Sequence, residues 1–361
     1  MNPNTPTLAA IAQRPDRPCG RRFGKGIAMP SFSRRTFLHG AGALTLLVPQ
    51  IAAAKSPVDE TGFVSIGGIN QWIAIQGDTA KPAILYLHGG PGEAQSPFLN
   101  TFAPWEHDFT VINWDQRGAG KTFEKNGEAT PDLTLDRLTT DAIEVTRHAL
   151  NRLGKRKLIL VGQSFGAMLG LMVAKRAPEL YYAFVGTGQF VNNSLTMEYR
   201  ERWAREQAVA THDEAGLKAL DDVRTLSIND WKRIGASRKW MMSPPDQEYL
   251  KLQADFMGSP DHPRPEAQAW VKGYGFEANK IGKESIVFDA MTEIPSLPVP
   301  YILIQGRDDH VTPLEPARAY WETIRSHSKA FAAIDGGHYA CFTDADQFLR
   351  AIRKFVMPLV T

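Results

Sequence analysis

A serine in a glycine-flanked turn is the residue whose surroundings point most directly to chemistry. Ser164 stands in GQSFG, residues 162–166, which has the form G-x-S-x-G. The apolar run KLILV precedes this motif at 157–161, and a helical pattern follows it at 167–177. A sharp turn from a strand into a helix exposes the serine hydroxyl, and the flanking glycines leave room for its strained backbone. We therefore predict that Ser164 is a nucleophile towards an acyl carbon.

A serine nucleophile needs a base, and the base needs an acid that orients it. After such a strand–turn–helix serine, the acid comes next in the chain and the histidine last. His338 directly follows the last apolar run and two glycines, so we predict that it is the base. The loop after the preceding run holds Asp308 and Asp309. Asp309 is favoured, because Gly306 precedes it by three residues and a proline follows four residues later, but Asp308 remains open. His310 on this loop is interpreted as a bystander.

The negative charge that develops on an acyl oxygen needs main-chain N–H donors. One donor is expected from Phe165, the residue after the nucleophile. The other is expected from the loop after the apolar run AILYL at 83–87, where glycine lets the backbone approach a substrate closely. We predict Gly90 for this role, with Gly89 as the alternative, and we interpret His88 as a residue that fixes the loop.

Short apolar runs alternate with helical patterns along most of the chain. The runs lie at 83–87, 109–114, 157–161, 181–185, 300–304 and 330–334. Two alternating runs between residues 63 and 75 indicate a hairpin. This alternation predicts an α/β fold, with a mostly parallel sheet flanked by helices on both faces. The glycine-rich motifs follow the runs, at the strand ends where such sheets bind ligands.

The alternation breaks between residues 191 and 295. This stretch is typical of helices with charged faces, and its four tryptophans are interpreted mainly as core residues. We predict that residues 191–295 form a helical cap inserted into a sheet domain of residues 55–190 and 296–361. The tryptophans are Trp203, Trp231, Trp240 and Trp270.

Residues 1–54 differ in charge from the rest of the chain. They hold seven basic residues and one acid, which leaves 34 basic and 38 acidic residues in the remainder. SRRTFL at 33–38 is followed by a short apolar stretch and by AAA at 52–54. This pattern indicates an export signal, and its paired arginines resemble the bacterial twin-arginine type. We therefore predict a periplasmic or secreted protein that uses the twin-arginine export machinery, with translation beginning at Met1 or Met29.

Composition and missing motifs exclude several function classes. After the leader the chain is mildly acidic and has no basic tract, so it has little with which to bind the phosphates of nucleic acid. Its two cysteines, Cys19 and Cys341, cannot form a disulfide framework or a thiolate metal site. The sequence contains neither a GxxxxGK[ST] phosphate loop nor an HExxH pair. We expect a small-molecule or short-peptide substrate and neither a nucleotide nor a metal cofactor.

Three motifs together carry a resemblance to a known family. HGGPG at 88–92, DQRGAG at 115–120 and GQSFG at 162–166 resemble the proline iminopeptidase group of α/β-hydrolases. The resemblance covers most of the chain outside the leader and the cap. It implies the α/β-hydrolase fold with a cap, and it assigns the triad and the oxyanion donors to the residues proposed above. It also implies that the loop of Asp115 and Arg117 is structural.

The sequence departs from the group's usual pattern at three positions. Gln163 and Phe165 replace the Gly and Trp of GGSWG, and Glu93 follows HGGPG where the group often has glycine. The resemblance implies an aminopeptidase that removes an N-terminal residue, of the proline type, through an acyl-enzyme. An esterase, lactonase or amidase with the same triad is the alternative. A non-catalytic ligand-binding protein on the same fold is a third reading.

Aminopeptidases of this group hold the free amino group of the substrate with carboxylates, largely from the cap. The predicted cap is rich in acids, most of which we interpret as solvated helix faces, and no motif selects among them. These acids include Glu198, Glu201, Glu206, Asp213, Glu214, Asp221, Asp222 and Asp255.

Overall fold

The computed structural model describes residues 57–257 and 265–361. The predicted export signal at 1–54, both candidate start residues and Cys19 lie outside the described residues. Within the described part, a mostly parallel sheet is flanked by helices on both faces, which confirms the predicted fold class.

Eight strands of the described chain form one sheet. In chain order they are β1 (Pro57–Ile66), β2 (Ile69–Asp78), β3 (Ala83–Leu87), β4 (Thr110–Trp114), β5 (Leu158–Gln163), β6 (Tyr181–Thr187), β7 (Tyr301–Gly306) and β8 (Lys329–Ile334). Their order in the sheet is β1-β2-β4-β3-β5-β6-β7-β8. The pairs β1–β2 and β2–β4 are antiparallel, and all other neighbours are parallel. The predicted hairpin turns at Gly67 and Gly68, whose φ angles of +55° and +79° suit glycine.

The helices of the described chain fall before, within and after a long insertion. In chain order they are α1 (Ala103–Glu106), α2 (Gly120–Asn126), α3 (Leu135–Leu153), α4 (Phe165–Arg176), α5 (Asn193–Ala210), α6 (Glu214–Asp222), α7 (Trp231–Ala236), α8 (Pro244–Met257), α9 (Pro265–Ile286), α10 (Ala290–Glu293), α11 (Leu314–Thr323), α12 (Ala340–Thr343) and α13 (Ala345–Phe355).

Alternate residues of β3 pack into two separate hydrophobic clusters, one on each face of the sheet. Leu85 and Leu87 belong to the cluster that includes side chains of α3, α4 and α11. Ile84 and Tyr86 belong to the cluster that includes side chains of α1 and α13. Because helices cover both faces, the strand needs apolar residues at every position, and this is why it reads as a continuous apolar run.

Helices α5 to α10 lie between β6 and β7, and α5 to α9 form an insertion there. Asn192 and Asp289 form an isolated antiparallel bridge at the base of this insertion, and Asn192 Nδ2 donates to Asp289 Oδ1 at 3.1 Å. The described residues of the insertion form helices and contain no strand. The proposed domain limits at 190/191 and 295/296 remain predictions. Across the described chain, no helix combines the length and apolar character needed to cross a membrane.

Arg117, in the loop after β4, forms hydrogen bonds to three other parts of the chain: the β1–β2 hairpin, α3 and Pro131. Its guanidinium donates to both carboxylate oxygens of Asp141 on α3, at 2.6 and 3.2 Å. It also donates to the carbonyls of Gly67 at 2.7 Å and Pro131 at 3.0 Å. Both charged side chains are fully buried. The loop after β4 is therefore fixed to the hairpin and to α3 by a buried ion pair whose donors are largely satisfied.

We expect Arg117→Met to lower the free energy of unfolding by about 3–5 kcal/mol, because it removes one member of a buried pair and leaves two carbonyls without their donor. The matched control is Arg318→Met, which breaks the exposed pair between Arg318 and Glu322. That substitution should cost less than about 1 kcal/mol. Urea unfolding of both variants measures the difference, and equal losses would contradict a bracing role for Arg117.

Candidate active site

Ser164 occupies a strained turn between β5 and α4. Its φ of +56° and ψ of −120° lie outside the conformations that residues with a side chain normally adopt. Its N–H donates to the carbonyl of Thr187 on β6 at 3.0 Å. A Cβ at Gly162 would lie 2.3 Å from the carbonyl oxygen of Gly166, and one at Gly166 would lie 2.1 Å from that of Leu87. The turn therefore requires glycine on both sides of the serine.

Asp309 and His338 meet at the ends of β7 and β8. His338 Nδ1 lies 3.0 Å from Asp309 Oδ2 and 3.2 Å from Oδ1, and both side chains are almost fully buried. Asp308, the alternative acid, is exposed. The carbonyl of His338 accepts a hydrogen bond from Gln163 Nε2 at 3.2 Å, which holds the histidine loop beside the residue preceding Ser164.

Four donors from neighbouring residues fix the carboxylate of Asp309. The main-chain N–H groups of Val311 and Thr312 donate to Oδ1 at 2.9 and 2.8 Å. Gln305 Nε2 and the Thr312 hydroxyl donate to Oδ2, each at 2.9 Å. Donors on both oxygens hold the carboxylate in one orientation, so that it can in turn orient the imidazole through Nδ1.

The surroundings of His338 favour its charged form. Burial lowers the pKa of His338, but the charge and hydrogen bond of Asp309 and the charges of Asp246 and Glu93 outweigh it, so the pKa lies above its ordinary value. A raised pKa makes the neutral imidazole a stronger base. It also means that protonation removes this base at a higher pH than for a free histidine.

A buried carboxylate of the insertion also holds the main chain of His338. Asp246, near the start of α8, accepts the N–H of His338 at 2.7 Å and the N–H of Tyr339 at 2.9 Å. A Cβ at Gly337 would lie 2.0 Å from Asp246 Oδ2, so this approach requires glycine. Sequence reasoning missed Asp246. The spacing from Ser243 resembles a helix cap, and nothing local indicates that the carboxylate reaches a histidine loop 92 residues away.

Gly90, Ser164 and Phe165 line one cavity of about 180 Å³. Phe165 is the first residue of α4, so its N–H is among those that the helix itself leaves unpaired. Gly90 has a φ of +116°, a conformation in which glycine is not strained. The predicted oxyanion donors therefore belong to the same cavity as the serine.

Glu93 and Ser164 both approach Gly89 of this loop. A Cβ at Gly89 would be 2.5 Å from Glu93 Oε2, 2.5 Å from Gln163 Oε1 and 3.2 Å from Ser164 Cβ. Glu93 is 8% exposed, and its Oε1 accepts the hydroxyl of Tyr339 at 3.1 Å. Burial raises the pKa of Glu93, while His338 and the tyrosine hydrogen bond oppose the rise. Sequence reasoning noted Glu93 as a departure from the family pattern and gave it no role.

The other two histidines near the site have separate contacts. His88 is fully buried, its Nε2 accepts the N–H of Gln116 at 3.1 Å, and burial lowers its pKa to about 4. It is therefore neutral and fixes the loop. The ring of His310 stacks on Trp203 at 3.9 Å, and its Nδ1 lies 3.1 Å from the hydroxyl of Tyr199. Among the described residues, no group of His, Cys, Asp or Glu side chains is placed to hold a metal ion.

The acids highlighted in the predicted cap lie mainly on its surface, and several form ion pairs there, as Glu201 does with Arg233. The side chain of Asp255 lies outside the described residues. The fully buried acids of the described insertion are Asp246 and Glu277. Both carboxyl oxygens of Glu277, on α9, lack a hydrogen-bond partner in the described chain, and burial raises its pKa well above the ordinary value. Burial of Glu277 therefore favours its protonated, neutral form.

We expect Asp246→Asn to lower the pKa of His338, because the substitution removes a negative charge beside the imidazole. The pKa is measured by following the imidazole resonance in an NMR titration. Glu248→Gln is the matched control, since Glu248 is exposed on the same helix. An unchanged pKa in Asp246→Asn would contradict the coupling inferred from the two hydrogen bonds.

Curated relatives of this chain are hydrolases with differing substrates. A probable aminopeptidase from Bacillus subtilis (strain 168) is 28% identical over 278 residues, which cover 74% of this chain and 86% of the relative. A 2-hydroxy-6-oxo-6-(2'-aminophenyl)hexa-2,4-dienoic acid hydrolase from Metapseudomonas resinovorans is 26% identical, covering 81% and 90%. A proline iminopeptidase from Neisseria gonorrhoeae is 23% identical, covering 83% and 97%.

The similarity to the wider family spans six of the eight strands together with the insertion. Residues 82–345 match the family described as alpha/beta hydrolase fold. This range contains β3 to β8, the serine turn and both loops that carry Asp309 and His338. The chain therefore belongs to the α/β-hydrolase family.

Proposed function

We propose that the protein is a serine hydrolase that removes an N-terminal residue, of the proline type, from short peptides. Ser164 Oγ attacks the acyl carbon while His338 takes its proton, and His338 then protonates the departing amine as the carbon–nitrogen bond breaks. A water molecule next gives its proton to His338 and attacks the acyl carbon. The acid is released, and Ser164 recovers a proton from His338.

The surroundings of the triad support each of these steps. Asp309 accepts from the Nδ1 side of the imidazole, which leaves the Nε2 lone pair free to take the serine proton and stabilises the imidazolium. The N–H groups of Phe165 and Gly90 stabilise the oxyanion, at about 3–4 kcal/mol per donor in the transition state. These donors face a cavity shared with Ser164, so water is largely displaced once substrate enters.

The carboxylate of Glu93 is the observation that carries the aminopeptidase assignment. A Cβ on Gly89 would be 2.5 Å from Glu93 Oε2 and 3.2 Å from Ser164 Cβ. The acid is therefore within reach of a group attached to an acyl carbon that Ser164 attacks. Burial disfavours the charge of Glu93. A substrate ammonium would compensate that charge, and a buried carboxylate is stable only with such a partner. The names of the Bacillus and Neisseria relatives agree with this assignment.

Export to the periplasm is part of the proposal. Its support is the signal pattern at 33–38 and 52–54, which lies outside the described residues. Cys341 is buried and free, and it is the one cysteine that remains if cleavage follows Ala54. The exported protein then needs no internal disulfide, although the compartment is oxidising.

We expect prolyl-p-nitroanilide to be hydrolysed with a kcat/KM at least about 10-fold above that of its N-acetyl derivative, because a charge-assisted contact to the free amine is worth about 1.5–3 kcal/mol. Ser164→Ala should abolish the reaction, and an organophosphonate should label the wild-type serine. Equal rates, or cleavage of aryl esters alone, would favour the esterase, lactonase or amidase alternative. Absence of labelling would favour a non-catalytic binding protein.

We expect Glu93→Gln to lose most of the preference for the free amine, chiefly by raising KM, since the amide keeps the shape of the acid but not its charge. Glu124→Gln, an exposed residue of α2, is the matched control. Glu277→Gln tests the other buried acid and should retain the preference. Loss of the preference in Glu277→Gln, and not in Glu93→Gln, would move the amine site to α9.

A further inference from the structure

The cavity of Ser164 extends into the insertion, where side chains of α5 line it. These side chains are Asn193, Thr196 and Arg200. The amide of Asn193 and the hydroxyl of Thr196 donate to acceptors within the insertion, at 2.7–2.8 Å. Their hydrogen-bonding capacity as donors is therefore largely used by the protein. Arg200 differs, because its cation has no comparable partner.

The guanidinium of Arg200 is buried, with 9% of the residue exposed, and its contacts are weak. Nε faces the sulfur of Met241 at 3.3 Å, and Nη2 lies 3.4 Å from the carbonyl of Ile234. Sulfur is a weak acceptor, and 3.4 Å is long for an N–H···O bond. Within the described residues, no carboxylate forms an ion pair with Arg200.

Arg117 shows how this protein otherwise buries a guanidinium. Arg117 binds both oxygens of Asp141 and two carbonyls, at 2.6–3.2 Å. The pKa of Arg200 is lowered to about 10, chiefly by burial and also by the neighbouring Arg238 charge, while the Asp309 charge opposes both effects. Arg200 thus keeps its proton at pH 7, and it faces the cavity as a desolvated cation without a counter-ion.

We propose that Arg200 binds a carboxylate of the substrate, the α-carboxylate of the residue that leaves when the peptide bond is cleaved. The preferred substrates are then dipeptides with free amino and carboxyl ends. This inference rests on the proposed aminopeptidase function.

Charge and size both direct this carboxylate to the departing half of the substrate. A cation in the cavity repels an ammonium, and Glu93, the proposed amine anchor, is not among the described residues that line the cavity. At about 180 Å³ the cavity is smaller than the roughly 300–1,000 Å³ of drug-sized sites, so it suits a group of about one amino-acid residue. A leaving group longer than one residue would have to extend out of this cavity, through the insertion.

The first test compares prolyl-glycine with prolyl-glycinamide, which differ in the terminal carboxylate. We expect wild type to prefer the carboxylate by about 10–100-fold in kcat/KM, as a charge-assisted hydrogen bond predicts. Arg200→Gln should abolish this preference, chiefly by raising KM for prolyl-glycine. Arg238→Gln is the matched control, since it removes the neighbouring exposed guanidinium. An unchanged ratio of the two rates in Arg200→Gln would overturn the proposal.

The second test needs no peptidase activity, so it separates failure of this inference from failure of the proposed function. A neutral organophosphonate labels Ser164 in the presence of butyrate or of butyramide, its uncharged counterpart. Butyrate should slow labelling of wild type and Arg238→Gln, but not of Arg200→Gln, and Arg200→Lys should retain part of the effect. Equal protection by both compounds in wild type, or undiminished protection by butyrate in Arg200→Gln, would overturn the proposal even if prolyl substrates are cleaved.

Discussion

The close approach of three chain segments at the Ser164 turn is the constraint on which the rest of the site depends. A side chain at residue 162 or 166 would meet the carbonyl oxygens of Gly166 and Leu87, so β3, β5 and α4 can meet in this way only through glycine. This contact brings the loop of Gly90 to the first turn of α4. The strained serine and the proposed oxyanion donors therefore arise from backbone geometry, and the surrounding side chains add to a site that the backbone has already arranged.

The parts of the site that the sequence predicts are those with a local cause. Five-residue apolar runs predict buried strands because both faces of the sheet are covered, and glycines around a serine predict a turn of one particular shape. Asp246 and Arg200 had no such signal. Asp246 accepts a hydrogen bond from a main-chain N–H 92 residues away. In the described chain, Arg200 lacks a carboxylate partner only because the folded insertion places Met241 and Ile234 beside its guanidinium. Contacts of this kind leave no periodicity or spacing in the sequence.

Two departures from the family pattern occupy one space in the folded chain. Glu93 and Gln163 stand where the pattern of the proline iminopeptidase group has glycine, and their side-chain oxygens both approach the position of a Cβ on Gly89. Gln163 also donates to the carbonyl of His338, and Glu93 accepts from the hydroxyl of Tyr339. Two glycines would leave this space empty. Glu93 and Gln163 fill it, and each forms a hydrogen bond with the loop that carries His338.

The insertion controls both halves of the proposed reaction through two charges of opposite sign. Asp246 fixes the main chain of the base, and its charge, together with those of Asp309 and Glu93, raises the pKa of His338. Arg200, on another helix of the same insertion, supplies a cation to the cavity that Ser164 lines. In the proposed binding mode, the ammonium of the substrate lies at Glu93, its carboxylate at Arg200 and its acyl carbon at Ser164. Any shift of the insertion that moves α8 and α5 together must therefore alter the strength of the base and the position of the substrate at the same time.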